Sequence, residues 1–81
     1  MTYTVQINHY LDPYQHRTWR RGTRTTYQTR HEAVDAYETA KQRIMLLQSC
    51  GTTVQLIQGT YPYRSFGLNW QGQPQEGIAR A

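Results

Sequence analysis

From residue 2 to residue 10 the chain alternates, with Tyr3, Val5, Ile7 and His9 on one side and Thr4, Gln6, Asn8 and Tyr10 on the other. A period of two predicts a half-buried strand whose apolar face is set by Tyr3, Val5 and Ile7. Residues 11–15 then read as a turn in which Pro13 restricts the backbone. A second strand is expected from about residue 16 to residue 26, interrupted at Gly22, because glycine inside a strand marks a bulge or a bend. The short connection makes the pair an antiparallel hairpin.

The period changes at Thr29. Thr29 and Glu32 have capping-box spacing, in which the Thr hydroxyl accepts from the Glu32 amide and the Glu side chain reaches back. Ala33, Tyr37, Ala40, Ile44 and Leu47 then recur at helical intervals as one stripe, flanked by Ala36. Glu32, Asp35 and Glu38 come early and Lys41 and Arg43 late, as the helix dipole favours. The helix is expected to run to about Ser49 and to stop on a left-handed Gly51. Residues 52–58 read as a third strand with Val54 and Leu56 inward. Residues 59–62 turn the chain, and residues 63–70 form a short fourth strand weakened by Gly67. Residues 71–81 are rich in Gln, Gly and Pro with little to bury, and are expected to be a flexible C-terminal tail. The expected fold is α+β: an antiparallel sheet of three to four strands with one helix packed on one face, in the order ββαβ(β). Residues 1–70 form the single domain of this scheme.

At 81 residues the core must be thin, and seven Tyr and two Trp have to supply much of its area. The net charge is +4. It is unevenly spread: residues 16–31 hold Arg17, Arg20, Arg21, Arg24 and Arg30, and no acid lies between Asp12 and Glu32. Such a segment suits phosphates or an acidic protein surface. The single cysteine, Cys50, excludes an intramolecular disulfide. The N-terminal residues lack the basic and apolar blocks of a signal peptide, and no run is long enough for a membrane span. The expected location is the cytoplasm, with no membrane partner.

Catalytic signals are lacking. His9, His16, His31 and Cys50 do not stand at metal-ligand spacing. Cys50, Ser49 and Ser65 have no adjacent base, and no glycine-rich phosphate loop or carboxylate pair is present. Neither a cofactor nor a metal is expected. Arg17, Trp19 and Arg21 share one face of a regular second strand and could stack a base while holding phosphates. Trp19 could instead face the helix as core, with Thr18 and Arg20 outward. Met45 and Leu46 lie off the apolar stripe, where they could anchor a partner. Tyr61, Tyr63, Phe66 and Trp70, with Arg64, form a cluster of the residue types that interfaces favour.

In size, strand–strand–helix–strand order and lack of a catalytic motif, the chain resembles the small proteins of phages and mobile elements, of which anti-CRISPR inhibitors are structurally known examples. The resemblance is architectural, covers residues 2–70 and carries over no functional residues. It implies a non-enzymatic inhibitor that blocks a host nucleoprotein complex by stoichiometric protein binding, in the host cytoplasm if phage-encoded. The basic charge argues against DNA mimicry. It implies cover over an acidic protein surface, or contact with guide RNA or target DNA alongside protein. The expected partner surface combines Arg17, Arg20, Arg21 and Arg24 as its electrostatic half with Tyr61, Tyr63, Arg64 and Phe66 as its anchoring half. The alternative is a basic sheet-face module for DNA or RNA, resembling the three-stranded sheet domains of some phage integrases. A metal-independent ribonuclease of the toxin type, with Arg17, Arg21, Arg24 and His16 on a phosphate and Tyr27 or His31 moving a proton, is a remote further alternative. An exposed sheet edge could also pair two copies as a homodimer.

Overall fold

In the computed structural model of the chain, residues 2–10, 19–69 and 71–78 are described, with the backbone alone at Tyr10, Trp19, Arg20, Arg21, Tyr63 and Ile78. The alternating N-terminal segment forms β1 (Tyr3–Tyr10), which pairs antiparallel with β2 (Trp19–Tyr27) on one side and with β3 (Thr52–Gln58) on the other. β4 (Tyr61–Leu68) follows β3, and β5 (Pro74–Ile78) follows β4. All pairs are antiparallel, and the strand order is β2-β1-β3-β4-β5. The single described helix, α1 (Arg30–Leu47), lies across one face of this sheet. The fold is thus the expected α+β arrangement, with one strand more than the pattern predicted.

The register of the hairpin breaks where the glycine stands. Gln6 faces Arg24 and Asn8 faces Arg21, so Gly22 and Thr23 together oppose Ile7. A Cβ at position 22 would meet His9 Nε2 at 2.9 Å and the Ile7 carbonyl oxygen at 3.0 Å. Glycine is therefore the residue that admits this bulge, and the extra residue returns Arg24 to the face shared by Gln6.

α1 begins at the expected cap. Thr29 Oγ1 accepts from the Glu32 amide at 3.3 Å, and the hydroxyl donates to Glu32 Oε1 at 2.8 Å, so Glu32 closes the box on the hydroxyl. The helix ends earlier than expected, at Leu47. Gln48, not Gly51, takes the left-handed cap position with φ 50°, its N–H reaching the carbonyls of Ile44 and Met45. Gly51 is also left-handed, with φ 79°, but in the turn into β3.

Ala33, Tyr37 and Ile44 from α1 pack with Val5, Val54, Leu56, Phe66 and Leu68 from the sheet as the core. The stripe is one residue shorter than its periodicity predicts, because Leu47 is 67 % exposed. The polar residues of β1 are not simply solvated. Thr4, Gln6 and Asn8 are all buried on the face opposite α1, because β1 is hydrogen-bonded on both sides and neighbouring side chains close over it. Their polar atoms are satisfied laterally: Arg24 Nη1 donates to Gln6 Oε1 at 2.9 Å, Gln6 Nε2 to Asn8 Oδ1 at 2.9 Å, and Asn8 Nδ2 to Gln55 Oε1 at 3.4 Å.

The expectation of a flexible tail from residue 71 is corrected. Asn69 turns the chain: its Oδ1 accepts from the Gln71 and Gln73 amides, each at 2.9 Å. β5 then pairs with β4 from Leu68↔Pro74 to Arg64↔Ile78. Backbone pairing and one charge cluster hold β5, so the shortage of apolar residues did not leave it loose. Glu76 receives Lys41 Nζ at 3.1 and 3.2 Å and Arg64 Nη2 at 3.2 Å. Residues 79–81 of the expected tail lie outside the described residues.

Candidate functional site

The strand order separates the two halves of the expected partner surface. β2, which carries the arginines, is an edge strand, and β1 and β3 intervene between it and the β4 cluster. Of the arginine set, Arg24 is exposed on the face away from α1, bonded to Gln6. Arg17 lies outside the described residues, as do the side chains of Arg20 and Arg21. The backbone register pairs position 21 with Asn8 and position 19 with Tyr10, both on the face away from α1, and position 20 with His9 on the α1 side. The strand therefore puts the Trp19 and Arg21 positions on one face, opposite the helix; whether the Trp19 side chain fills a core or a platform lies outside the described residues.

The anchoring half is corrected in two of its four members. Phe66 is 3 % exposed and belongs to the core, opposite Val54, because its strand position faces α1. Arg64 is committed within the fold. Its guanidinium stacks on the Tyr37 ring at 4.9 Å and pairs with Glu38 at 3.5 Å and Glu76 at 3.2 Å. These contacts bring α1, β4 and β5 together. Tyr61 is the member of the set seen at the surface, 45 % exposed, while the Tyr63 side chain and Trp70 lie outside the described residues. The Lys41 ammonium hydrogen-bonded to Glu76, with Arg64 beside it, holds that carboxyl below its ordinary value despite some desolvation.

A different apolar surface emerges at the end of α1. Met45, Leu46 and Leu47 are 50, 83 and 67 % exposed. Beside them a groove of about 320 Å³ separates the C-terminal half of α1 from the β1–β2 hairpin. Ala40, Arg43, Ile44 and Leu47 form its helix wall, and Ile7, His9 and Thr23 its sheet wall. His9 is held in place by a 3.1 Å hydrogen bond between its Nδ1 and Thr52 Oγ1 at the groove floor. Sequence reading found Met45 and Leu46 because they leave the helical stripe. It missed Leu47 because that residue obeys the stripe, and only the position of the sheet's end under α1 decides whether it is covered.

Chemical candidates stay dispersed. Among the described residues no group of three or more His, Cys, Asp and Glu side chains is placed to hold a metal ion. His31 pairs with Asp35 at 3.3 Å on the exposed start of α1, and Cys50 is exposed at the far end. No helix among the described residues is long and apolar enough to cross a membrane. No family model matches the chain, and neither a curated protein nor a solved structure matches it.

Proposed function

We propose that this chain is a small non-enzymatic binding protein that acts by stoichiometric attachment to another protein, as an anti-CRISPR-like inhibitor from a phage or mobile element would when it blocks a host nucleoprotein complex. The observation that carries the reading is the apolar end of α1. Three successive large side chains, Met45, Leu46 and Leu47, stand at least half exposed, and Leu47 lines an open groove. Exposed aliphatic residues clustered at a concave surface are the usual anchors of a protein partner. Arg43 on the groove wall makes an acidic partner surface the complementary one. The anchoring residues of this reading are thus on α1, in place of Arg64 and Phe66.

The test is a pull-down of the tagged chain from host lysate, with and without nuclease, run beside the Leu46→Asp/Leu47→Asp variant and read by mass spectrometry. A defined protein complex that survives nuclease and is lost with the double variant supports the reading. Capture of the same proteins by both forms, with the variant folded by circular dichroism, refutes it. So does a set of proteins released by nuclease.

A further inference from the structure

Among the described residues, the face of the sheet turned away from α1 carries a cation and no acid. Glu32, Asp35 and Glu38 are on α1, and Glu76 turns toward it to meet Lys41. These are all the acids among the described residues, so the opposite face carries none of them. Register sets out what it does carry. Arg24, Gln6, Gln55, Ser65 and Gly77 form one row across all five strands. The next row runs from position 21 through Asn8, Thr53 and Gly67 to Gln75.

Hydrogen-bonding groups on this face are held in fixed orientation. The chain Arg24→Gln6→Asn8→Gln55 uses both ends of the Gln6 and Asn8 carboxamides and finishes on the oxygen of Gln55, leaving the Gln55 NH2 donors outside the chain. A guanidinium has five N–H donors, of which this chain employs one. Toward β5 the face drops to Ser65, Gly67 and Gly77, whose side chains are short or absent, with Gln75 exposed beside them. Among the described side chains of this face, the apolar ones include Ile57, buried at 8 %, and the exposed Pro62, its neighbour across the β3–β4 pair.

We propose that this sheet face, free of acids among the described residues, binds single-stranded nucleic acid, with Arg24 on a phosphate and the NH2 group of Gln55 against base edges. The cation and the lack of acids select a polyanion. The Gln55 NH2, oriented by the bond its oxygen accepts from Asn8, offers donors that the acceptors of base edges match. The whole face is too wide to enter a duplex groove. Five strands at roughly 4.8 Å spacing span about 19 Å, against about 12 Å for the major groove. A single strand can instead lie along the surface. This surface is opposite α1, so it and the apolar groove can be occupied independently.

The experiment is fluorescence anisotropy of the full chain with labelled 12-nucleotide single-stranded DNA and RNA and with the corresponding duplex, from about 50 to 200 mM salt. Binding to single strands is expected, with log K against log salt falling at a slope of about −0.7 for each phosphate neutralised, Arg24 neutralising one. Gln55→Glu keeps an acceptor for Asn8 while placing an acid at the centre of the face. Thr26→Glu adds an acid to the same face at an exposed position on the edge strand β2. Each is expected to weaken binding about tenfold. Gln42→Glu, an equal charge change on exposed α1, is expected to leave binding within about twofold. The proposal is overturned if the wild type fails to bind at the lowest salt, or if the duplex binds as tightly as the single strand. It is also overturned if both acid variants bind like wild type, or if light scattering shows the face occupied by a second copy.

Discussion

Phe66, expected as a surface anchor, belongs to the core, while Leu46, off the helical stripe, stands exposed as expected, and two alanine substitutions measure this. Phe66 is 3 % exposed, packed in the core and approached by the Lys41 ammonium 5.1 Å from its ring centre. Truncating such a residue leaves a cavity that a thin core fills poorly, and about 3–5 kcal/mol is the expected cost of Phe66→Ala. At roughly 0.05–0.15 kcal/mol per residue, a chain of 81 residues has about 4–12 kcal/mol in all. Phe66→Ala therefore removes a large part of the fold's stability. Leu46 is already 83 % exposed, so less than a fifth of its possible burial remains to be lost. Full burial of Leu is worth about 1.5–3 kcal/mol, which leaves under about 0.5 kcal/mol at stake. The better helix propensity of Ala offsets a few tenths of that. Urea unfolding followed by circular dichroism, with midpoints converted through a common m value, is the assay. Phe66→Ala is expected to shift the midpoint strongly and Leu46→Ala hardly at all. A Phe66→Ala cost below about 1 kcal/mol, or a Leu46→Ala cost above it, would refute the assignment of core and surface.

Gln48→Gly should stabilise the chain by about 0.5–1 kcal/mol, because φ 50° at the helix cap burdens a residue with a Cβ; a lower melting temperature would contradict the cap geometry. Gly67→Ala should destabilise by about 1–3 kcal/mol, since its Cβ would meet Thr53 Cγ2 at 2.6 Å and the Thr52 carbonyl oxygen at 2.8 Å; an unchanged urea midpoint would show that β3 and β4 are not so closely apposed. Glu76 has a folded-state pKa below its ordinary value of 4.5, so the unfolded chain binds its proton first as pH falls. Its stabilisation is then fully present above about pH 5 and is lost through and below 4.5. The stability difference between wild type and Glu76→Gln should shrink across that window, and a difference that grows toward acid would be the wrong sign. Deleting residues 74–81 should lower the melting temperature and raise aggregation, because β4 would become an exposed edge and Arg64 and Lys41 would lose Glu76; a truncated chain with wild-type melting would return β5 to the status of a tail.

The sequence by itself determined those features whose causes are local. Alternation in residues 2–10, the Thr29–Glu32 cap, the stripe through Tyr37 and Ile44, and the bulge at Gly22 all follow from backbone geometry within a few residues. Tertiary structure decided what depends on neighbours distant in sequence. The placement of β1 and β3 between β2 and β4 parted the arginine strand from Phe66 and Arg64 and turned those two into core and ion-pair residues. Pairing to β4, with Lys41 and Arg64 waiting for Glu76, made a strand of a segment with almost nothing apolar to bury. The same periodicity that buries Ile44 leaves Leu47 in solvent, because a helical stripe states which residues share a face and says nothing of how far the opposing sheet extends.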